Sequence, residues 1–93
     1  MTDQIRRSSR SVPVNIAEAY RKRRYVKHFI SKLTDSDAEN SETQVWIAFA
    51  FSCKYIDKAS FDDLTQKASE VGKLIGYMIN NPSKFGVGEQ SSN

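Results

Sequence analysis

Ninety-three residues, about a quarter of them charged and few of them Gly or Pro, suffice for one small helical domain. No apolar run approaches the roughly 20 residues a bilayer span needs, and MTDQIRRSSR lacks the apolar stretch of a signal peptide. The single cysteine, Cys53, excludes an internal disulfide and a thiolate metal site, so a reduced, cytoplasmic setting is expected.

The net charge of +3 conceals an asymmetry. Residues 1–32 hold nine Lys and Arg against Asp3 and Glu18, a net +7, whereas residues 33–93 hold five Lys against nine acids, a net −4. A basic N-terminal third on an acidic body suits a polyanion, or charge complementarity between copies of the chain.

Taken in order, the spacing predicts a first helix over residues 3–24, with Ile5, Ser9, Val12, Ile16 and Tyr20 on its core stripe. Arg6, Arg10, Arg21 and Arg24 fall on the adjoining stripe. Pro13 lacks an N–H and crowds the preceding turn, so a kink is expected there, with Ser8, Ser9 and Ser11 bonding the carbonyls it frees. Two short helices meeting at Pro13 are the alternative.

A second helix is expected over residues 25–56. Val26, Phe29, Ile30 and Leu33 open its apolar face and Ile47, Ala48 and Phe51 resume it. Between them the same face carries Ser36, Asp37, Asn40, Thr43 and Gln44. Buried without partners, each such group would cost ~1–3 kcal/mol. A polar layer of Asn15, Glu18, Asn40, Thr43 and Gln44 between the first two helices is therefore expected. A second apolar stripe, Trp46, Phe49, Cys53 and Ile56, suggests an oligomer interface, unless one bundle covers both faces.

The third helix is expected over residues 60–81, opened by a capping box of Ser60 and Asp63. Phe61, Leu64, Ala68, Val71, Ile75 and Met78 form its core seam. Gly72 and Gly76 each cost ~1 kcal/mol in helix propensity, which close approach of a neighbouring helix would explain. Asn81-Pro82 ends the helix, so residues 1–82 make the bundle and 83–93 a mobile tail.

The constellations of catalysis are missing. His28, the only histidine, sits between Lys27 and Lys32 on a helix surface. Glu18, Glu39, Glu42 and Glu70 are followed three residues on by Arg21, Glu42, Val45 and Lys73, so no Glu-x-x-His pair supports a di-metal bundle site. Asp35, Asp37, Glu39 and Glu42 read as a solvated face or as intersubunit partners for the arginines. No enzyme activity, metal or cofactor is expected. The functional signal is the basic set Arg6, Arg7, Arg10, Arg21, Lys22, Arg23, Arg24 and Lys27, flanked by Tyr20 and Tyr25. Arginine forks suit phosphates, and the tyrosines could stack on bases.

Three blocks, QIRRSSRSVPVNIAEAYRKRRY (4–25), FISKL (29–33) and SETQVW (41–46), resemble the 23S-rRNA intervening-sequence protein family, also called four helix bundle proteins. The resemblance implies an all-α, antiparallel up-and-down bundle that assembles into a ring-like homopentamer and has no enzymatic activity. Some members are encoded within intervening sequences of ribosomal-RNA genes. A similar protein is the accessory subunit of the reverse transcriptase in diversity-generating retroelements, and nucleic-acid binding is the activity suggested for the fold. The family pattern has an additional helix ahead of Q-I-R-R. Met1 stands three residues before Gln4, so the three helices read here would correspond to the second, third and fourth, with the seam toward the first exposed. The leading expectation is an oligomeric, backbone-directed binder of nucleic acid, above all structured RNA. A scaffold for a protein partner such as a reverse transcriptase is the runner-up, and an N-terminally truncated fragment without independent function the third reading.

Overall fold

The computed structural model describes residues 2–86. Three helices, α1 (Thr2–Arg21), α2 (Val26–Ser52) and α3 (Lys58–Asn80), are followed by a single 3₁₀ turn, Pro82–Phe85. Helix α2 lies in the middle. Ser36 bonds the backbone of Val12 and Thr43 meets Ser8, so rising numbers in α2 oppose falling numbers in α1. Asn40 bonds Ala68 and Phe51 stacks on Phe61, which makes α2 and α3 antiparallel as well. The chain is an all-α, up-down-up bundle. Helices α1 and α3 both pack on α2 and scarcely touch each other.

The result is a slab of 55 × 19 × 13 Å, one layer of helices thick. Its radius of gyration, 15.2 Å, exceeds the roughly 13 Å of a compact 100-residue domain.

Helix α1 runs through Pro13 as one helix, and no second start appears there. The serine hydroxyls donate to carbonyls further upstream than expected: Ser8 to Gln4, Ser9 to Arg6 and Ser11 to Arg7. The core stripe is also rotated. Ser8, Val12 and Ala19 are buried, Ile5 and Ile16 half-buried, and Ser9 and Tyr20 exposed. The helix ends at Arg21 because the backbone tightens: the Lys22 N–H is shared between the Glu18 and Ala19 carbonyls, and Arg23 N–H bonds Tyr20 O.

The apolar core gathers at the end of the slab near the α1–α2 turn. There Val12, Ala19, Phe29, Leu33, Ile75 and Met78 are buried together. In α2, Ile47 and Ala50 are buried near the other end, while Val26 and Ala48, expected on the core face, are exposed. Between the two apolar zones stand Ser36, Asn40 and Thr43.

Helix α2 stops four residues earlier than expected. Tyr55 N–H bonds Ala50 O and Lys54 N–H bonds Phe51 O, the paired bonds of a Schellman cap. Lys54 occupies the left-handed position at φ 63°, where glycine would carry no Cβ penalty. Lys54→Gly is expected to stabilise the fold by about 1 kcal/mol, read as a raised urea midpoint with unchanged slope.

Helix α3 starts two residues earlier than the expected capping box. Asp57 is its cap, accepting from the Ser60 N–H at 2.7 Å, and that bond holds the Asp57 carboxyl below its ordinary value. Gly72 does mark a close approach, since a Cβ there would stand 3.3 Å from Asn40 Nδ2, but Gly76 faces no neighbour within 4 Å. Of the expected tail, residues 83–85 belong to the 3₁₀ turn. Its Phe85 packs on the core, with ring centroids 6.4 Å from Phe29 and 6.0 Å from Tyr77; residues 87–93 lie outside the described residues.

Candidate nucleic-acid interface

The basic residues divide into two groups along one edge of the slab. The first surrounds the α1–α2 turn. Arg21, Arg23, Arg24 and Tyr25 line a depression of about 270 Å³. Lys22, His28, Ser31 and Lys32 line another of about 280 Å³. The second group, Arg7 and Arg10 with Ser11, Val14 and Asn15, lines a shallow hollow further toward the start of α1. From Arg10 to Arg21 the helix rises about 16 Å.

Two of the turn arginines are held in place. Arg21 Nη2 pairs with Glu18 at 2.8 Å. Arg23 donates to the Tyr20 carbonyl at 3.0 Å, and its guanidinium lies 4.2 Å from the centre of the Tyr20 ring. Each anchor reduces the freedom a guanidinium must surrender on binding an anion. Among the described residues, Arg6, Arg7, Arg10, Lys22, Arg24 and Lys27 make no ion pair. Tyr25, exposed and 5.6 Å from the His28 ring, precedes α2 in extended conformation and gives it no side-chain cap. The first-turn N–H groups of α2 therefore lack a side-chain acceptor beside Arg24 and Lys27, an arrangement that favours anions.

Sequence reasoning missed Lys32 and His28 as members of this turn. Their signal was available in the i, i+4 spacing from residue 28 to residue 32.

The expected polar layer needs correction. Asn40 and Thr43 are buried, but Gln44 is exposed, and neither Asn15 nor Glu18 meets them. Glu18 turns instead to Arg21, because the register sets Ser8, not Asn15, opposite Thr43. The buried cluster is Ser8, Ser36, Asn40 and Thr43. Ser36 donates to Val12 O at 2.8 Å and Asn40 to Ala68 O at 2.9 Å; the Thr43 and Ser8 hydroxyls are 2.7 Å apart. Ser8 can donate to Gln4 O while Thr43 donates to Ser8, so one proton assignment satisfies both. Ser36 was expected on this polar stretch of α2, whereas Ser8 is a member that only the register reveals.

The second apolar stripe of α2 lies largely in the open. Phe49 and Cys53 are exposed, Trp46 and Ile56 half-buried, and Val45 joins them in the open. Trp46 and Phe49 meet edge to face at 6.2 Å. Among the described residues no His, Cys, Asp or Glu cluster could hold a metal, and no helix is long and apolar enough to cross a membrane.

Residues 1–77 match the family model described as 23S rRNA-intervening sequence protein. No curated protein and no solved structure matches the chain.

Proposed function

Because the chain belongs to the 23S rRNA-intervening sequence protein family, we propose that it is a non-enzymatic cytoplasmic protein that binds structured RNA through the phosphate backbone. The observation that carries this reading is the turn depression: Arg21, Arg23 and Arg24 gather around Tyr25 with two guanidiniums already anchored. Forked donors beside uncapped helix N–H groups suit phosphate oxygens, and Tyr25 offers a stacking face. The α1 arginines Arg7 and Arg10 would extend the contact along the same edge. Contacts of this kind position a nucleic acid and read little sequence.

Self-association belongs to the same proposal. The exposed stripe of Phe49 and Cys53, with Trp46 and Ile56, is the surface offered for it, in a ring of five by the family resemblance. Repetition of a modest site around a ring raises avidity without new contacts. The same stripe would serve a scaffold for a protein partner such as a reverse transcriptase.

Fluorescence anisotropy with a structured RNA over a salt series tests the RNA reading. Log affinity should fall linearly with log salt. Arg21→Ala with Arg24→Ala should weaken binding alike for unrelated sequences and make the slope shallower by about 1–2. Affinity unchanged in that double variant refutes the reading, and an oligomer that ignores RNA transfers the proposal to the protein-partner scaffold.

A further inference from the structure

We infer, resting on the RNA-binding reading above, that the α1–α2 turn takes an unpaired nucleotide, that of a bulge, a loop or a strand end. Its base stacks on the Tyr25–His28 pair, and the phosphates on its two sides enter the hollows found at either end of that pair.

The Tyr25 side chain is spare to the fold. Its backbone N–H bonds Lys22 O and its carbonyl accepts from the Phe29 N–H, so the main chain fastens the turn to α2. The side chain provides no cap to that helix. Single exposed aromatics are ordinary on protein surfaces; the surroundings set this one apart. Residues 21–32 hold six Lys and Arg and no acid. Tyr20 stands in the same cluster, but the Arg23 guanidinium lies 4.2 Å from its ring centre and takes one face. The contact of Tyr25 with His28, 5.6 Å between centroids and tilted by 43°, leaves Tyr25 60% exposed. Tyr25 is therefore the open platform of the turn.

The hollows set the size and charge of what flanks the base. Arg21, Arg23 and Arg24 line the one that Tyr25 borders, about 270 Å³. Lys22 and Lys32 line the one that His28 borders, about 280 Å³. Both fall below the ~300–1,000 Å³ of pockets that enclose a small organic ligand, so neither encloses a whole nucleotide. Each suits a phosphate, the first through guanidinium forks and the second through point charges. A base between two phosphates is the repeating unit of a nucleic-acid strand, and an aromatic pair between two cation-lined hollows is its complement. A paired base cannot use this arrangement. The major groove of an A-form duplex is too deep and narrow for side chains to read, whereas an unpaired base can be splayed out onto an aromatic ring. The α1 edge differs: Arg7 and Arg10 stand with Ser11, Val14 and Asn15 and no aromatic. That edge holds backbone, and the turn discriminates.

Anisotropy with the intact 93-residue chain compares two RNAs of one stem, the first fully paired and the second carrying a single unpaired nucleotide. The bulged RNA should bind about 5- to 140-fold more tightly, the range that stacking of one base gives. Tyr25→Ala should bring the bulged RNA down to the affinity of the paired stem, and Tyr25→Phe should keep the preference. Far-UV CD should match wild type for both variants, since the side chain is open to solvent. An abasic nucleotide at the bulge keeps the phosphates and removes the base. It should cost as much as Tyr25→Ala, and the two changes together no more than either alone. Equal binding of paired and bulged RNA with a steep salt slope overturns the inference and leaves backbone-directed binding in place. So does a Tyr25→Ala variant that weakens both RNAs alike, or additive losses in the abasic comparison. Failure to bind either RNA overturns the RNA reading itself, and this inference with it.

Discussion

Phe29→Ala is expected to remove about 3–5 kcal/mol of stability, most of what a small domain holds when the usual total is about 5–15 kcal/mol. Phe29 is completely buried where all three helices converge, among Val12, Ala19, Leu33, Ile75 and Met78, and Phe85 of the 3₁₀ turn closes over it. The α1–α2 turn beside it is short, residues 22–25. Urea denaturation followed by far-UV CD checks the value. Val26→Ala, one turn away and 48% exposed, should shift the midpoint by no more than about 0.5 kcal/mol. A Phe29 variant within 1 kcal/mol of wild type would mean that the core is centred elsewhere. The consequence reaches the basic edge. Arg21, Arg23 and Arg24 are mounted on the turn that Phe29 secures, so loosening this core should blunt the proposed RNA binding before the helices melt.

The helices and their order were legible because Phe29, Leu33, Ile47, Ala68, Ile75 and Met78 recur at helical spacing, a property of each helix alone. The ends were less so. No Gly or Pro marks the stop after Arg21 or Ser52; the first is a tightened turn in a run of cations and the second a Schellman cap with Lys54 where glycine is usual. Relations between helices were harder still. Asn40 and Thr43 stood out as polar groups in an apolar stripe, but their partners depend on register. A shift of one residue in the inferred face of α1 exchanged Ser8 for Ser9, and Glu18, reaching Arg21 within its own helix, was assigned across to α2. The basic set was visible as composition. Its division into a turn cluster and an α1 edge was not, because that depends on where α1 ends. The exposed α1–α3 groove was expected from a family pattern; that α2 alone separates its walls is a packing fact no periodicity contains.

Asn40→Asp is expected to convert the buried polar cluster into a pH-dependent fault costing about 3 kcal/mol or more at neutral pH. The two side chains have nearly the same shape, so the effect isolates charge and donor capacity. Asn40 is 5% exposed, and its Nδ2 donates to Ala68 O at 2.9 Å beside the close approach of Gly72. An ionised aspartate there would set an anion against a carbonyl oxygen, on the floor of an apolar groove. Burial without a donor raises the folded carboxyl above its unfolded value of about 3.9. The sign follows: the penalty is complete above the raised folded value, shrinks as the pH falls through it, and is gone below the unfolded one. In acid the protonated carboxyl can even donate to Ala68 O, recovering the wild-type bond. Urea titrations of both proteins between pH 4 and 8 should therefore show a stability gap that opens as the pH rises. A gap of constant size would place residue 40 in contact with water. The α2–α3 crossing would then be held at a point other than the Asn40–Ala68 bond.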